Sequence, residues 1–166
     1  MSSEQRFRRE NMKRYLLQCS LAGLVVLILL LVLDAVTQTV LIAALGSSAF
    51  IAFAVPRSLH SGPRHLVGGY VVGMLSGASM GALYLSFGVT SGPWGQALMI
   101  VFGAIAIAVA MFTMVVTRTE HPPAAALALG LVLNEWNLAT LLVILAGIVG
   151  LSMLKRLVLP MLMDLL

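Results

Sequence analysis

The sequence predicts an all-α fold: a polytopic transmembrane helical bundle of about six membrane segments in two inverted groups of three, with short or broken second and fifth helices. Three observations carry that expectation. Of 166 residues, 60% are hydrophobic and 10% charged, whereas a soluble globular chain has roughly 45–50% and roughly 25%. The mean hydropathy is +1.04, so there is too little charge to cover a surface facing water. The apolar residues also fall in runs, at 16–33, 39–55, 66–89, 95–116, 122–133 and 138–154. Together these exclude a soluble enzyme, a disordered tail and a nucleic-acid-binding domain. They leave a single integral membrane domain over residues 1–166, with the lipid bilayer as its surroundings.

The segments are justified in order. Residues 1–15 carry Arg6, Arg8, Arg9, Lys13 and Arg14 and read as a basic cytoplasmic segment. The apolar run that follows is longer than the roughly 7–15 residues of a signal-peptide core, and no small-x-small site directly follows Leu33, so it is expected to remain as the first helix. Four of the six runs match the roughly 20 apolar residues of a spanning helix. The second is shorter, and the fifth is shortest.

Six crossings place every Lys and Arg on one side. That side receives the N-terminal five, then Arg57 and Arg64, then Arg118, then Lys155 and Arg156, while Asp34 and Glu135 fall on the other near Thr37, Gln38, Asn134 and Asn137. Short loops obeying the positive-inside rule look like this, so both termini are expected in the cytoplasm, with the chain in the plasma (bacterial inner) membrane. Four crossings, with the short segments re-entrant, would put Arg57 and Arg64 outside. Arg57, Arg64 and Arg118 are primarily topology anchors, with attraction of anions toward the cytoplasmic mouth as a secondary role. Each group of three runs long, short, long. Because three is odd, the second group is inverted relative to the first, and paired short segments at matching positions point to a transporter's binding site.

Gly69, Gly73, Gly77 and Gly81 recur every fourth residue, so they line one helix face that another helix can approach closely. Such a face serves either packing within the chain or a homodimer. Gly103, Ala106 and Ala110, with Ala146 and Gly150, mark the fourth and sixth segments as tightly packed.

The chemistry concentrates in the short segments. The fifth opens Glu120-His121-Pro122-Pro123-Ala124, and prolines belong in a helix's first turn. From there to Asn134 a helix rises about 18 Å against a hydrocarbon core of about 30 Å. Its start is therefore either interfacial or recessed. A recessed start aims free N–H groups and the positive dipole end into a site at depth, beside Glu120 and His121. In the second segment Gly46-Ser47-Ser48 interrupts an apolar run. It is either a packing or hydroxyl-bonding site in a continuous helix or the start of a half-helix near the midplane. Two opposed half-helix starts would form an anion site from Gly46, Ser47, Ser48, His121, Pro122, Pro123 and Ala124, with Glu120 and His121 orienting the ligand or coupling it to protons. His60 and His65 are expected to be solvated loop residues. Cys19 is the single cysteine, and no Cys/His spacing indicates a metal or redox cofactor.

The run from Glu120 to Ala126 resembles the His-Pro-Pro signature that names the HPP family of integral membrane proteins. Gly46-Ser47-Ser48-Ala49 with Phe53 and Pro56, then Pro63-Arg64 and Gly68-Gly69, are similar to that family's other recurrent elements in order and spacing. The likeness runs from the first helix to Lys155. It departs where the family usually carries Ala-Gly-Ala after the prolines and this chain has Ala124-Ala125-Ala126, which bears on how closely backbone or ligand approaches at Ala125. Plant members are associated with nitrite transport across the chloroplast envelope, so the resemblance implies passage of nitrite or a similar small inorganic anion.

The resulting expectation is a transporter or channel for a small monovalent anion, without cofactor or metal. Two other classes compete. A membrane enzyme would use Glu120 and His121 as an acid/base pair, but no nucleophile, metal set or cofactor motif accompanies them. A structural or assembly protein would bind its partner through the glycine face.

Overall fold

Backbone N–H and C=O groups have no water to bond inside a bilayer, so apolar runs of this length satisfy them internally as helices. In the computed structural model, which describes residues 12, 16–24, 26–28, 31 and 39–165, they do so in order. The helices are α1 (Leu16–Ile28), α2 (Thr39–Ala54), α3 (Pro63–Ser86), α4 (Gly92–Thr117), α5 (Pro122–Leu133) and α6 (Leu138–Val158), with 3-10 turns at Leu59–Ser61 and Leu159–Met161. There is no strand among the described residues. The basic residues of the N-terminal segment and the expected outer loop with Asp34, Thr37 and Gln38 lie outside the described residues.

Local chemistry sets the boundaries. Prolines stand in the first turn of α3, α4 and α5, where a missing N–H is harmless. Asn137 starts α6 through a capping box, its side chain accepting from Thr140 N at 2.9 Å. Arg118 ends α4 in the left-handed region, at φ 54°. Its own N–H bonds Val115 O, and Thr119 N bonds Met114 O at 2.9 Å, the paired closure usual for a helix C-terminus.

Three helical stretches, Pro63–Ser86, Gly92–Thr117 and Leu138–Met161, are long and apolar enough to cross a membrane. The second and fifth helices are short, at 16 and 12 residues, and the second is not broken. Ser47 Oγ donates to Ala43 O at 2.8 Å and Ser48 Oγ is 3.0 Å from Ala44 O, so hydroxyls back-bond to the preceding turn while the backbone continues.

The central element is α5, which packs on α2, α3 and α4. The glycine stripe of α3 receives it. A Cβ at Gly69 would stand 2.6 Å from His121 Cβ, one at Gly77 would stand 2.6 Å from Ala128 O, and one at Gly73 would run into Ala124 O. The stripe is thus filled from within the chain. On α4, Phe102, Gly103, Ala106, Ala110 and Met114 turn inward, while Ile100, Val101, Phe112 and Val116 are exposed, as suits a helix whose outer solvent is lipid. The contact of α3 with α5 has a counterpart in α6 with α2, and α2 touches α5 as α3 touches α6.

One end of the bundle collects the positive charge. Arg64 Nη2 donates to Thr117 O at 2.7 Å, Lys155 Nζ to Ser61 O at 2.8 Å, and Arg57 N to Asp164 Oδ1 at 3.1 Å. These bonds tie the start of α3 to the end of α4, and the 55–62 connection to the end of α6 and the residues after it. Gln18 of α1 joins the same end, donating to Phe53 O at 2.7 Å and Met163 O at 2.8 Å. Glu135 and Trp136 stand at the opposite end, at the start of α6.

Candidate functional site

His121 is the residue immediately before α5, and its side chain is 1% exposed. Its Nδ1 lies 3.2 Å from His60 O. A carbonyl only accepts, so Nδ1 carries the hydrogen and the imidazole's tautomer is set. The other ring nitrogen, Nε2, is 2.8 Å from Ser48 Oγ, and Ser48 Oγ is also 2.9 Å from Tyr70 OH. Ser48 precedes the last residue of α2 by six positions, which is about 9 Å at 1.5 Å per residue. The start of α5 is therefore recessed along α2 rather than level with its end.

The hydrogen count in this cluster is one short. Ser48 owns one hydroxyl hydrogen, and both Ala44 O and the lone pair of a neutral Nε2 face it. Tyr70 donates to Ser48 Oγ and leaves that competition unresolved. A proton on Nε2 would donate to Ser48 Oγ and free the serine hydrogen for Ala44 O, completing every bond.

Further titratable groups surround the recess. His60 Nδ1 donates to Glu120 O at 3.1 Å, His65 Nε2 is 3.5 Å from Glu120 Oε2, and the His60 and His65 rings meet edge-on at 5.8 Å. His65 is buried, contrary to its expected place as a solvated loop residue; it sits in the first turn of α3, where Glu120 covers it. Lys155, expected among the basic residues of the cytoplasmic side, is buried as well. It donates to the same 3-10 turn that supplies His60 O to His121.

The structure brings together part of the expected site. Ser48 and His121 bond directly, Ala124 is buried against the α3 glycines, and Pro123 is buried beside α2. Ser47 is exposed on the outer face, where it shares a shallow groove with Phe50, Ile51 and Pro122. Gly46 has no neighbour within 4 Å of where a Cβ would stand. Arg57, Arg64 and Arg118 are exposed at the charged end. Two opposed half-helix starts are not formed: α2 begins at Thr39, far from Ser48, and the start of α5 meets the middle of α2. The expected N–H donors of α5 are also spent. Pro122 and Pro123 have none, and Ala124 N bonds back to His121 O at 2.9 Å.

Sequence reasoning missed Tyr70, His65 and Lys155. For Tyr70 a signal existed, since it directly follows Gly69 in an apolar helix and its hydroxyl needs a buried partner. A cavity of about 380 Å³ opens beside His121 between α4 and α5, lined by Met111, Met114, Val115, Glu120 and Ala125. Another of about 680 Å³ opens at the far end of α5, by Tyr84, Asn134 and Trp136. Among the described residues no three His, Cys, Asp or Glu gather as a metal site.

Compared with known families, the chain matches HPP, transmembrane region, over residues 8–163. No curated protein matches it. No solved structure matches it either.

Proposed function

The chain belongs to the HPP transmembrane region family, and from that premise we propose that it is a transporter or channel for a small monovalent anion such as nitrite, with the Ser48–His121 pair on the path. The observation that carries this reading is His121 itself, an imidazole 1% exposed in an apolar bundle and bonded across to Ser48. Ionisable groups at such depth are costly and are kept where an ion or proton must pass. The cationic end supports an anion over a cation: Arg57, Arg64, Arg118, Lys155 and Arg156 gather there with Glu120 and Asp164 as the acids, so the local field raises anion concentration at that mouth. Ser48, Tyr70 and His121 supply the polar contacts in place of helix N–H groups. Glu120 holds His60 and His65 in place around the recess, and His121 couples passage to protons through the hydrogen shortfall.

In this reading both termini lie on the cytoplasmic side of the plasma membrane, and the chain is not an enzyme. The rival reading, an assembly protein acting through the glycine face, loses its surface because α5 occupies that face; a second copy would have to dock elsewhere. The test is nitrite uptake into proteoliposomes of the purified protein, beside His121→Ala and empty vesicles. Uptake that collapses in the variant supports the reading, and uptake no greater than in empty vesicles overturns it.

A further inference from the structure

Lys155 is 6% exposed near the end of α6. An ammonium so buried needs charge or dipoles around it. Its Nζ donates to Ser61 O at 2.8 Å and to Ser61 Oγ at 3.1 Å, which uses two of its three hydrogens. Among the described residues no carboxylate is in ion-pair contact with it; Glu120 pairs instead with His65. Asp164 reaches Lys155 only through its field and spends an oxygen on Arg57 N.

A second unmet donor stands in the same turn. Ser58 Oγ is buried and has no hydrogen-bond partner. Ser58 is not remote from Lys155: its carbonyl accepts from Ser61 Oγ at 2.8 Å, and that same Oγ accepts from Lys155 Nζ. A buried cation of α6 with a spare hydrogen and a buried hydroxyl with no acceptor therefore both adjoin Ser61. Each holds a donor hydrogen without an acceptor, and Lys155 has no carboxylate in contact. A small anion supplies acceptor and negative charge in a single species, whereas water supplies only the acceptor.

We infer that Lys155 and Ser58 form an anion-binding site at the basic end of the bundle, for a small inorganic anion bearing acceptor oxygens. The inference rests on the anion-transport reading for its place in a path, though not for its binding chemistry. The turn that carries Ser58 and Ser61 also offers His60 O to His121 Nδ1, so an anion at Lys155 sits one residue from the contact that fixes the His121 tautomer. Lys155 would hold the anion before it reaches the recess.

The test is anion binding by the purified, lipid-free protein in detergent, read as a saturable rise in thermal unfolding midpoint with sodium nitrite or nitrate against gluconate at equal ionic strength. The wild type is expected to show the rise. Lys155→Met should weaken half-saturation about ten- to hundredfold, since it removes a bond to a charged group. Lys155→Arg should restore part of it, and Ser58→Ala should weaken it about tenfold or less. The last two variants keep the test decisive if Lys155→Met does not fold. No rise in the wild type, or an unchanged rise in Ser58→Ala and in Lys155→Met, overturns the site. A rise given only by added anionic lipid assigns the contact to a headgroup and overturns the free-anion assignment. Binding that depends on Lys155 without nitrite uptake keeps the site and removes the transport reading, while uptake and binding both indifferent to Lys155 do the reverse.

Discussion

Ser48 and His121 stand 73 positions apart in the chain and 2.8 Å apart in the fold. That bond fixes where α5 begins, because His121 is the residue on which the helix is built and Ser48 lies within α2 rather than at its end. The short fifth helix is therefore recessed by contact with a particular side chain, and its first polar group faces the interior.

Ser48→Ala removes the partner of His121 Nε2 and of Tyr70 OH at once. Leaving buried polar groups unpaired costs about 1–3 kcal/mol, so the thermal midpoint in detergent should fall. Ser47→Ala should change it by no more than about 0.5 kcal/mol, since that hydroxyl is exposed and bonds only its own helix. Equal effects of the two would remove the distinction.

The glycine stripe is expected to tolerate nothing larger than hydrogen where α5 crosses it. Gly73→Leu and Gly77→Leu should yield no monodisperse folded protein by size-exclusion chromatography, because the added Cβ alone meets the backbone of Ala124 or Ala128. Gly150→Ala has open space at its Cβ and should gain roughly 0.5–1 kcal/mol from reduced backbone freedom.

Arg118 holds a left-handed backbone at the end of α4, φ 54°, where glycine is usual. Arg118→Gly should raise the unfolding midpoint by the equivalent of about 1 kcal/mol. If the arginine also draws anions to the mouth, the same variant should lower uptake at low salt and lose that deficit as salt rises. A fall in midpoint would show that the side chain contributes more than the strain costs.

Much of this was readable in advance. Hydrophobic run length located α5 at 122–133 and α2 within a residue of its end, and four-residue spacing identified the helix face that packs. The missing N–H groups of Pro122 and Pro123 were equally legible; what the sequence did not show is that the next donor, Ala124 N, turns back to His121 O. The continuity of α2 was not legible, because serine hydroxyls can cap a new helix or back-bond within an old one, and only the neighbouring turn decides. Tyr70, His65 and Lys155 join the site through contacts between segments far apart in sequence. Lys155 in particular reads as a charge of the cytoplasmic side until the 58–61 turn folds over it. The depth of His121 depended on the same unseen contacts, since an interfacial and a recessed proline start look alike in sequence.

The most direct measurement is initial nitrite uptake into proteoliposomes by the wild type, Ser47→Ala and Ser48→Ala, reconstituted at equal folded protein. The account predicts near-wild-type uptake for Ser47→Ala and a loss of at least about tenfold for Ser48→Ala, on the scale of losing a hydrogen bond to a charged group. Uptake unchanged in Ser48→Ala, or lost equally in both variants, would contradict a path through the Ser48–His121 pair.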